Sequence, residues 1–89
     1  MEAQKTIQEL AQIAADRNRD SSERILALKE LVKNADPKQK INVEVSRIIM
    51  GNIAIKVHSV IELVRTLAIR NSEDPQVKKA AKSYLKAME

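Results

Sequence analysis

His58 is the only histidine of the chain, so a base and nucleophile pair of the usual kind could be built only around it. Ser59 follows it directly, and Glu62 lies one helical turn further on. A catalytic base needs a positioned partner and a pocket, and consecutive residues of a helix, which we expect here, do not face each other. A surface hydrogen bond or ion pair between His58 and Glu62 is the better explanation. We therefore predict no catalytic residue and no enzymatic activity.

The composition offers few residues that could bind a metal ion or a phosphate group. Cysteine is absent, and histidine and glycine occur once each. Carboxylates would have to hold a metal, and a glycine-rich phosphate loop cannot be built in the usual way. The adjacent acids Glu73 and Asp74 are better explained as negative charge at the start of a helix, where the helix dipole favours it. The sequence therefore predicts no metal site and no cofactor.

Four lysines recur at helical spacing near the end of the chain. They are Lys78, Lys79, Lys82 and Lys86. Such a stripe could contact the phosphates of a nucleic acid. However, it contains no arginine and no neighbouring aromatic side chain for base stacking, and cations near a helix C-terminus are favoured by the dipole. We expect a weak basic stripe on a solvated helix face, and no nucleic-acid partner.

The composition is that of one small folded domain spanning residues 1–89. Apolar residues make up 44% of the chain, the formal net charge is +4, and Tyr84 is the only aromatic residue. Charged residues interrupt the longest apolar run, so no segment reaches the ~18–20 residues that cross a bilayer, and we expect no export signal and no membrane. Since cysteine is absent, the cytoplasm is favoured, or recombinant production if the protein is designed.

The segment 53–70 is the most apolar part of the chain. Wound as a helix, it has one apolar face around Val64, while Ile55, Leu63 and Ile69 lie on the other side. A helix that is apolar most of the way round must be covered on several sides. We expect it to be the central strut of the domain. The second group of three residues is then a candidate surface for a homodimer or for a helical peptide or protein partner, although no partner is required.

Helix start and stop signals divide the chain into five predicted helices. Asparagine, aspartate and proline mark most boundaries, as helix caps and first-turn residues do. The predicted helices cover residues 3–17, 21–34 with Asp20 as N-cap, 37–50 after Asp36, 53–70, and 75–88 after Asp74. The expected fold is all-α, a compact bundle or short superhelix of about five helices. Its predicted core includes Leu28, Val45, Ile61, Val64 and Leu85.

Residues 41–57 also fit a β-hairpin. Apolar and polar side chains alternate at both of its ends as they do in strands, and Gly51-Asn52 would make an acceptable turn. Ser59 and Glu62 would then cap a shorter helix. This α+β alternative stays open. The all-α fold is favoured because the aliphatic residues of the first half keep helical spacing without a phase change.

Two helical families are similar to parts of the chain. Residues 74–85 (Asp-Pro-Gln-Val-Lys-Lys-Ala-Ala-Lys-Ser-Tyr-Leu) resemble the first helix of a HEAT or armadillo repeat, and residues 20–31 match the same pattern more loosely. Residues 60–88 form a basic apolar helix, an acidic turn and a helix carrying Ala81 and Leu85. They resemble the end of the N-terminal helical domain of the transcription elongation factor TFIIS. Both resemblances imply a helical module that binds other proteins.

Local and global signals agree along most of the chain, which is typical of designed sequences. Nearly every helix has a start signal, and the expected core is almost wholly aliphatic. The leading expectation is therefore a non-enzymatic helical scaffold, a designed protein with no natural biochemical activity. The alternative is a natural protein–protein interaction module of the HEAT-like or TFIIS-like kind. Such a module would leave an apolar groove exposed beside the 53–70 helix.

Overall fold

The computed structural model describes residues 5–48, 52–70 and 73–88, and within them the chain forms four helices and one two-stranded antiparallel sheet. The helices are α1 (Ile7–Ala15), α2 (Ser21–Asn34), α3 (Val60–Ile69) and α4 (Pro75–Met88), and the strands are β1 (Lys40–Ile48) and β2 (Asn52–Ser59). The fold is α+β. The prediction of an all-α bundle, superhelix or helical repeat of about five helices is wrong, and the hairpin alternative describes the chain.

The hairpin of β1 and β2 replaces the third predicted helix and the first part of the fourth. Val43 pairs with Val57 and Glu44 with Lys56. Both valines are buried, whereas Glu44 and Lys56 are exposed, so one face of the sheet covers the core and the other faces solvent. β-Branched residues lose side-chain freedom in a helix and pack well on a pleated surface, which is why the helical prediction fails here. The predicted turn residue Gly51 lies outside the described residues.

The predicted helix start at Asp36-Pro37 is a turn instead. The Gln39 N–H donates to the Asp36 carbonyl oxygen at 2.9 Å. The carbonyls of this turn then accept from the first two N–H groups of α3, Val60 to Gln39 at 3.1 Å and Ile61 to Pro37 at 2.9 Å. These helix donors have no partner within their own helix. The turn therefore fixes where α3 begins against the hairpin.

A capping box begins α1. The Thr6 hydroxyl accepts from the Glu9 N–H, and the Thr6 N–H donates to the Glu9 carboxylate, both at 3.1 Å. α1 starts after this box at Ile7 and ends at Ala15, so the described part of the helix predicted over 3–17 is shorter than expected.

The predicted boundaries of the second and last helices are confirmed. Asp20 occupies the N-cap of α2, which ends at Asn34, although the Asp20 side chain makes no capping hydrogen bond within the described part of the chain. Pro75 is the first residue of α4, and the Asp74 carboxylate before it accepts from the Gln76 N–H at 2.8 Å. In both places an aspartate lies directly before the first residue of the helix, as aspartates commonly do at N-caps.

α3 is the centre of the core. It contacts β2 and the other three helices, while α1 lies between β1 and α2. Its buried side chains all have 0% exposure and are Val60, Leu63, Val64, Leu67 and Ala68. This helix has 10 residues, and no helix in the described ranges is both long and apolar enough to cross a membrane. The central position predicted for the 53–70 segment thus belongs to its second half.

The predicted core residues divide into two groups. Leu28, Val45 and Val64 are fully buried, as predicted. Ile61 and Leu85 are half-buried, because they lie at the margin of their helices' buried faces. Leu85 still packs against the central cluster.

A buried ion pair joins three helices at the end of the molecule where α4 begins. Arg24 Nη1 lies 2.7 Å from Glu73 Oε1, and the two side chains are only 3% and 1% exposed. Arg24 Nε also donates to the carbonyl oxygen of Ala14 at 3.0 Å. Beside this pair, the Ser21 hydroxyl donates to the Asp74 carboxylate. The start of α4 is therefore tied to α2, and through Arg24 to α1.

Asp74→Asn should destabilise the protein at neutral pH and have less effect in acid. The Ser21 hydroxyl bond, together with those from the Gln76 and Val77 N–H groups, lowers the pKa of the Asp74 carboxyl. A carboxyl whose pKa is lower in the folded state stabilises that state above its unfolded pKa, and this contribution is lost as the pH falls through the folded value. We expect a cost of about 0.5–1 kcal/mol at neutral pH. Urea unfolding between about pH 7 and pH 2 measures it.

Ser21→Ala is the matched variant for this measurement. It removes the largest contribution to the lowered pKa of Asp74 while keeping the carboxyl, so the acid loss of stability should shift toward higher pH. If wild type and Asp74→Asn lost stability in parallel across the whole range, Asp74 would not be the group responsible.

Candidate protein-binding groove

Two of the residues with catalytic potential, Ser59 and Glu62, make capping contacts at the start of α3. The Ser59 hydroxyl accepts from the Glu62 N–H at 3.3 Å, and the Glu62 carboxylate accepts from the backbone N–H of His58 at 3.0 Å. The contact predicted between His58 and Glu62 therefore involves the main chain of His58. His58 and Ser59 are consecutive residues of β2, whose side chains point to opposite faces of a strand. The structure does not bring these three groups together as a base and a nucleophile.

The adjacent acids predicted at a helix start have separate roles. Glu73 binds Arg24 in the core, and Asp74 caps α4. Across residues 5–48, 52–70 and 73–88, no group of three histidine or acidic side chains is placed to hold a metal ion.

The weak basic stripe lies along α4. Lys79, Lys82 and Lys86 are exposed and Lys78 is half-buried. Lys86 lies in the last turn of the helix, where the dipole favours a cation. The opposite face of α4 contributes Val77 and Ala81 to the core.

The three residues predicted as a partner or dimer surface are separated by the fold. Leu63 is fully buried, because it lies beside Val60, Val64 and Leu67 on the buried face of α3. Ile55 and Ile69 are 36% and 66% exposed. They lie at the same end of the molecule, since Arg70 donates to the carbonyl oxygen of Val45 at 3.3 Å and Val45 pairs with Ile55. Ile55 and Ile69 stay a predicted partner surface, without Leu63.

A groove of about 390 Å³ runs between α1 and α2. The two helices are neighbours joined by the short connection 16–20, an arrangement that makes them antiparallel. The apolar side chains that line the groove are Leu10, Ile13, Leu26 and Ala27, and the charged ones are Lys5, Arg19, Glu23 and Glu30. The groove predicted for an interaction module was expected beside the 53–70 helix, whereas this one lies beside α2.

The floor of the groove is buried and its rim is an exposed leucine. Leu10 and Ala27 are 8% and 5% exposed, and Ile13 is half-buried. Leu26 is 60% exposed. It lies two residues from Leu28, which places it about 200° away around the helix from that core residue. Leu26 therefore belongs to the outer face of α2.

Charges bound the groove at its end near the α1–α2 connection. Arg19 lies 3.4 Å from Asp16 and 3.1 Å from Glu23, and these side chains are 40–51% exposed. Exposed ion pairs of this kind contribute little to stability. Arg19, Asp16 and Glu23 can therefore exchange these contacts for contacts with charges on another molecule. The groove thus offers an apolar floor with exchangeable ionic contacts.

Sequence reasoning missed this groove. The predicted core residue of α2, Leu28, indicates the buried face, and Leu26 falls on the opposite side of the same helix. An aliphatic residue opposite a helix's core face was the signal that could have identified the rim. That Ile13 and Leu26 line the same groove depends on how α1 packs against α2. The spacing of residues within one helix does not contain this information.

Comparison of the chain with protein-family models, with curated proteins and with solved structures gave no match. The resemblances of residues 74–85 to HEAT or armadillo repeats and of residues 60–88 to the TFIIS N-terminal domain therefore stay predictions.

Proposed function

We propose that the chain is a non-enzymatic protein-binding module whose α1–α2 groove accepts an apolar side chain from a helix of another protein chain. The observation that carries this proposal is the exposed Leu26 on the rim of a groove with a buried apolar floor. Helices bind grooves of this kind through apolar anchors spaced along one face. Of the two functions that the sequence suggests, this is the interaction module.

The outer face of α2 supports a binding role over that of a scaffold without partners. Ser22, Lys29 and Lys33 share this face with Leu26, and all three are polar and exposed. A leucine among them contributes little to folding and lowers solubility, so a sequence selected only to fold would have a polar residue there. The groove volume also falls within the range of about 300–1,000 Å³ typical of ligand sites.

The placement of the buried charges supports a non-enzymatic role. A catalytic site at the groove would need, among the described residues, a titratable side chain that is largely shielded from solvent and still faces the groove. Arg24 and Glu73 are buried, but they bind each other in the interior. Of the charged residues that line the groove, Lys5, Arg19 and Glu23 are exposed and Glu30 is only half-buried.

Isoamyl alcohol, which carries the isobutyl group of leucine, is a direct probe of this site. Titrated into methyl-labelled protein and followed by NMR, it should shift the signals of Leu10, Ile13 and Leu26 in a saturable way. The reason is that a groove with a buried apolar floor binds aliphatic groups that an isolated exposed side chain does not. Ile55 and Ile69 are the internal controls, since they are exposed elsewhere.

A variant with the groove closed completes the test. Ala27→Leu places an isobutyl group of the chain's own on the groove floor and should remove the saturable shifts, while circular dichroism checks that the fold is kept. Shifts of equal size at Ile55, Ile69 and Leu26, without saturation, would contradict a binding groove.

A further inference from the structure

The outer edge of β1 is protected against pairing with another strand. The Gln8 side chain donates to the Asn42 carbonyl oxygen at 2.7 Å and accepts from the Asn42 N–H at 2.9 Å. α1, which carries Gln8, packs against this strand. The pairing of β1 is also irregular between Lys40 and Val43, and irregularities of this kind discourage further pairing. Extension of the sheet is therefore favoured at β2.

The outer edge of β2 is open over residues 52–56, which we call the open edge. The His58 N–H donates to the Glu62 carboxylate at 3.0 Å, so it points away from β1. Main-chain groups alternate in direction along a strand, so the N–H groups of Lys56 and Ala54 also point away from β1. Among the residues that the structure describes, no side chain bonds to these two groups. The open edge can therefore accept another strand.

The open edge also lacks the residues that keep exposed strands apart. Protected edges carry charges, prolines or bulges. Residues 52–55 include no charge and no proline, and with His58 neutral Lys56 is the only charged residue of β2. Ile55 and Ile69 are 36% and 66% exposed at this end of the molecule. An uncharged edge beside exposed aliphatic side chains is a surface suited to strand pairing.

We infer that the open edge pairs with the open edge of a second copy of this chain, antiparallel about a two-fold axis at Ala54. Two hairpins then form one four-stranded sheet in the order β1-β2-β2-β1. This interface is separate from the α1–α2 groove and does not depend on it. An interface of this symmetry buries the same patch on both chains.

The protected edge of β1 favours a second copy over a strand of another protein. In the four-stranded sheet both outer strands are β1, whose edge is held by Gln8 and α1. The sheet therefore closes with two chains. A single added peptide strand would instead leave its own outer edge unpaired, and unpaired edges attract further strands.

Charge places the axis at Ala54. Residues equally far from the axis face each other, so Lys56 of one copy lies opposite the neutral Asn52 of the other. An axis at Lys56, or a parallel pair in register, would place two lysines side by side, which is destabilising. An axis at Ile55 would bring the lysines to diagonal positions about 7–8 Å apart. The axis at Ala54 separates them further.

The position of the helices fits the same axis. The helices cover the hairpin where Val43 pairs with Val57, and both valines are buried. Residues 52–56 lie nearer the turn of the hairpin. Because the two strands are antiparallel and overlap only there, the helices of the two copies lie toward opposite ends of the shared sheet.

The extent of the contact predicts a weak dimer. Residues 52–56 span roughly 17 Å at about 3.3 Å per residue. Pairing over that length buries less than the about 800 Å² per partner found in stable complexes. The dimer should therefore form in a concentration-dependent way rather than as a permanent assembly.

Sedimentation equilibrium over a concentration series, from about 10 μM to 1 mM, tests this inference. The average mass should rise from that of the 10.0 kDa monomer toward twice that value. Ala54→Pro removes an N–H that the hairpin does not use and should weaken dimerisation at least about tenfold, because both central hydrogen bonds are lost. Ala54→Thr keeps the N–H and suits a strand, so it should leave dimerisation within a few-fold of wild type.

Disulfide cross-linking tests the position of the axis. The chain has no cysteine, so Ala54→Cys introduces a single thiol. The two thiols would lie on directly opposed residues with Cα atoms about 5.5 Å apart, within the roughly 4.4–6.8 Å that a disulfide spans. With oxidised glutathione, Ala54→Cys should form linked dimers at least about tenfold faster than Ser83→Cys, which places a thiol on the exposed face of α4.

Each outcome supports or overturns the inference. A monomer at every concentration, with equal cross-linking rates for Ala54→Cys and Ser83→Cys, would overturn the second copy and leave the open edge to a strand of another protein. A dimer that survives Ala54→Pro would lie elsewhere on the molecule. Loss of the dimer in Ala54→Thr as well would overturn pairing through the main chain. If circular dichroism shows that Ala54→Pro does not fold, the cross-linking rates decide.

Discussion

Glu73→Gln should lower the free energy of unfolding by about 3–5 kcal/mol, because it leaves the charge of Arg24 buried without its counter-ion. The Arg24 and Glu73 side chains are 3% and 1% exposed, and their charged atoms lie 2.7 Å apart. Water therefore cannot replace the lost carboxylate. Domains of this size have a total stability of only about 5–10 kcal/mol. We expect the variant to unfold at a much lower urea concentration than the wild type, as followed by circular dichroism.

Glu62→Gln is the control for loss of a carboxylate as such. Glu62 is exposed, and its carboxylate accepts one backbone hydrogen bond at the start of α3, so its replacement should cost below about 1 kcal/mol. Replacing both members of the buried pair, Arg24→Met with Glu73→Leu, should recover most of the stability, since no buried charge remains. A cost of Glu73→Gln as small as that of Glu62→Gln would show that water reaches this pair.

The helices with local boundary signals are the part of the fold that the sequence predicts well. Asp20 and Asn34 bound α2, and Asp74 caps α4 before Pro75. A helix cap depends on residues within about one turn of each other. Such signals are contained in the local sequence, and the structure keeps them.

The same dipeptide, Asp-Pro, precedes a helix at residue 74 and forms a turn at residue 36. In the turn, the Asp36 carboxylate accepts from the Lys38 N–H at 2.8 Å, as aspartates also do outside helices. The β-branched residues after Pro37 decide the outcome, because they pair with a second strand further along the chain. Spacing alone fits both a helix and a strand in such a segment, and the pairing between Val43 and Val57 selects the strand.

The buried ion pair and the groove depend on contacts between distant segments. Arg24 lies one helical turn before Leu28 on the buried face of α2, so its position was visible in the spacing. Its partner Glu73 is 49 residues away, and nothing local indicates it. The groove likewise needs α1 beside α2. The sequence shows which side chains share a face of a helix. Which other element covers that face depends on the packing of distant segments, which the local sequence does not show.

Leu63→Ala should cost about 3 kcal/mol or more, although the apolar pattern of 53–70 places Leu63 and Ile69 together on one surface. Leu63 is 0% exposed on α3, the helix that contacts β2 and every other helix. Its truncation removes buried apolar area and leaves a cavity that rigid neighbours on several sides cannot fill. Urea unfolding measures the loss directly.

Ile69→Ala on the same helix is the matched comparison. Ile69 is 66% exposed, so its truncation should change the free energy of unfolding by no more than about 0.5 kcal/mol. Alanine also favours the helix slightly more than isoleucine does. Equal costs for the two variants would mean that α3 is rotated from its position in this fold. A large difference would show that Leu63 faces the core and Ile69 the surface, as they do in this fold.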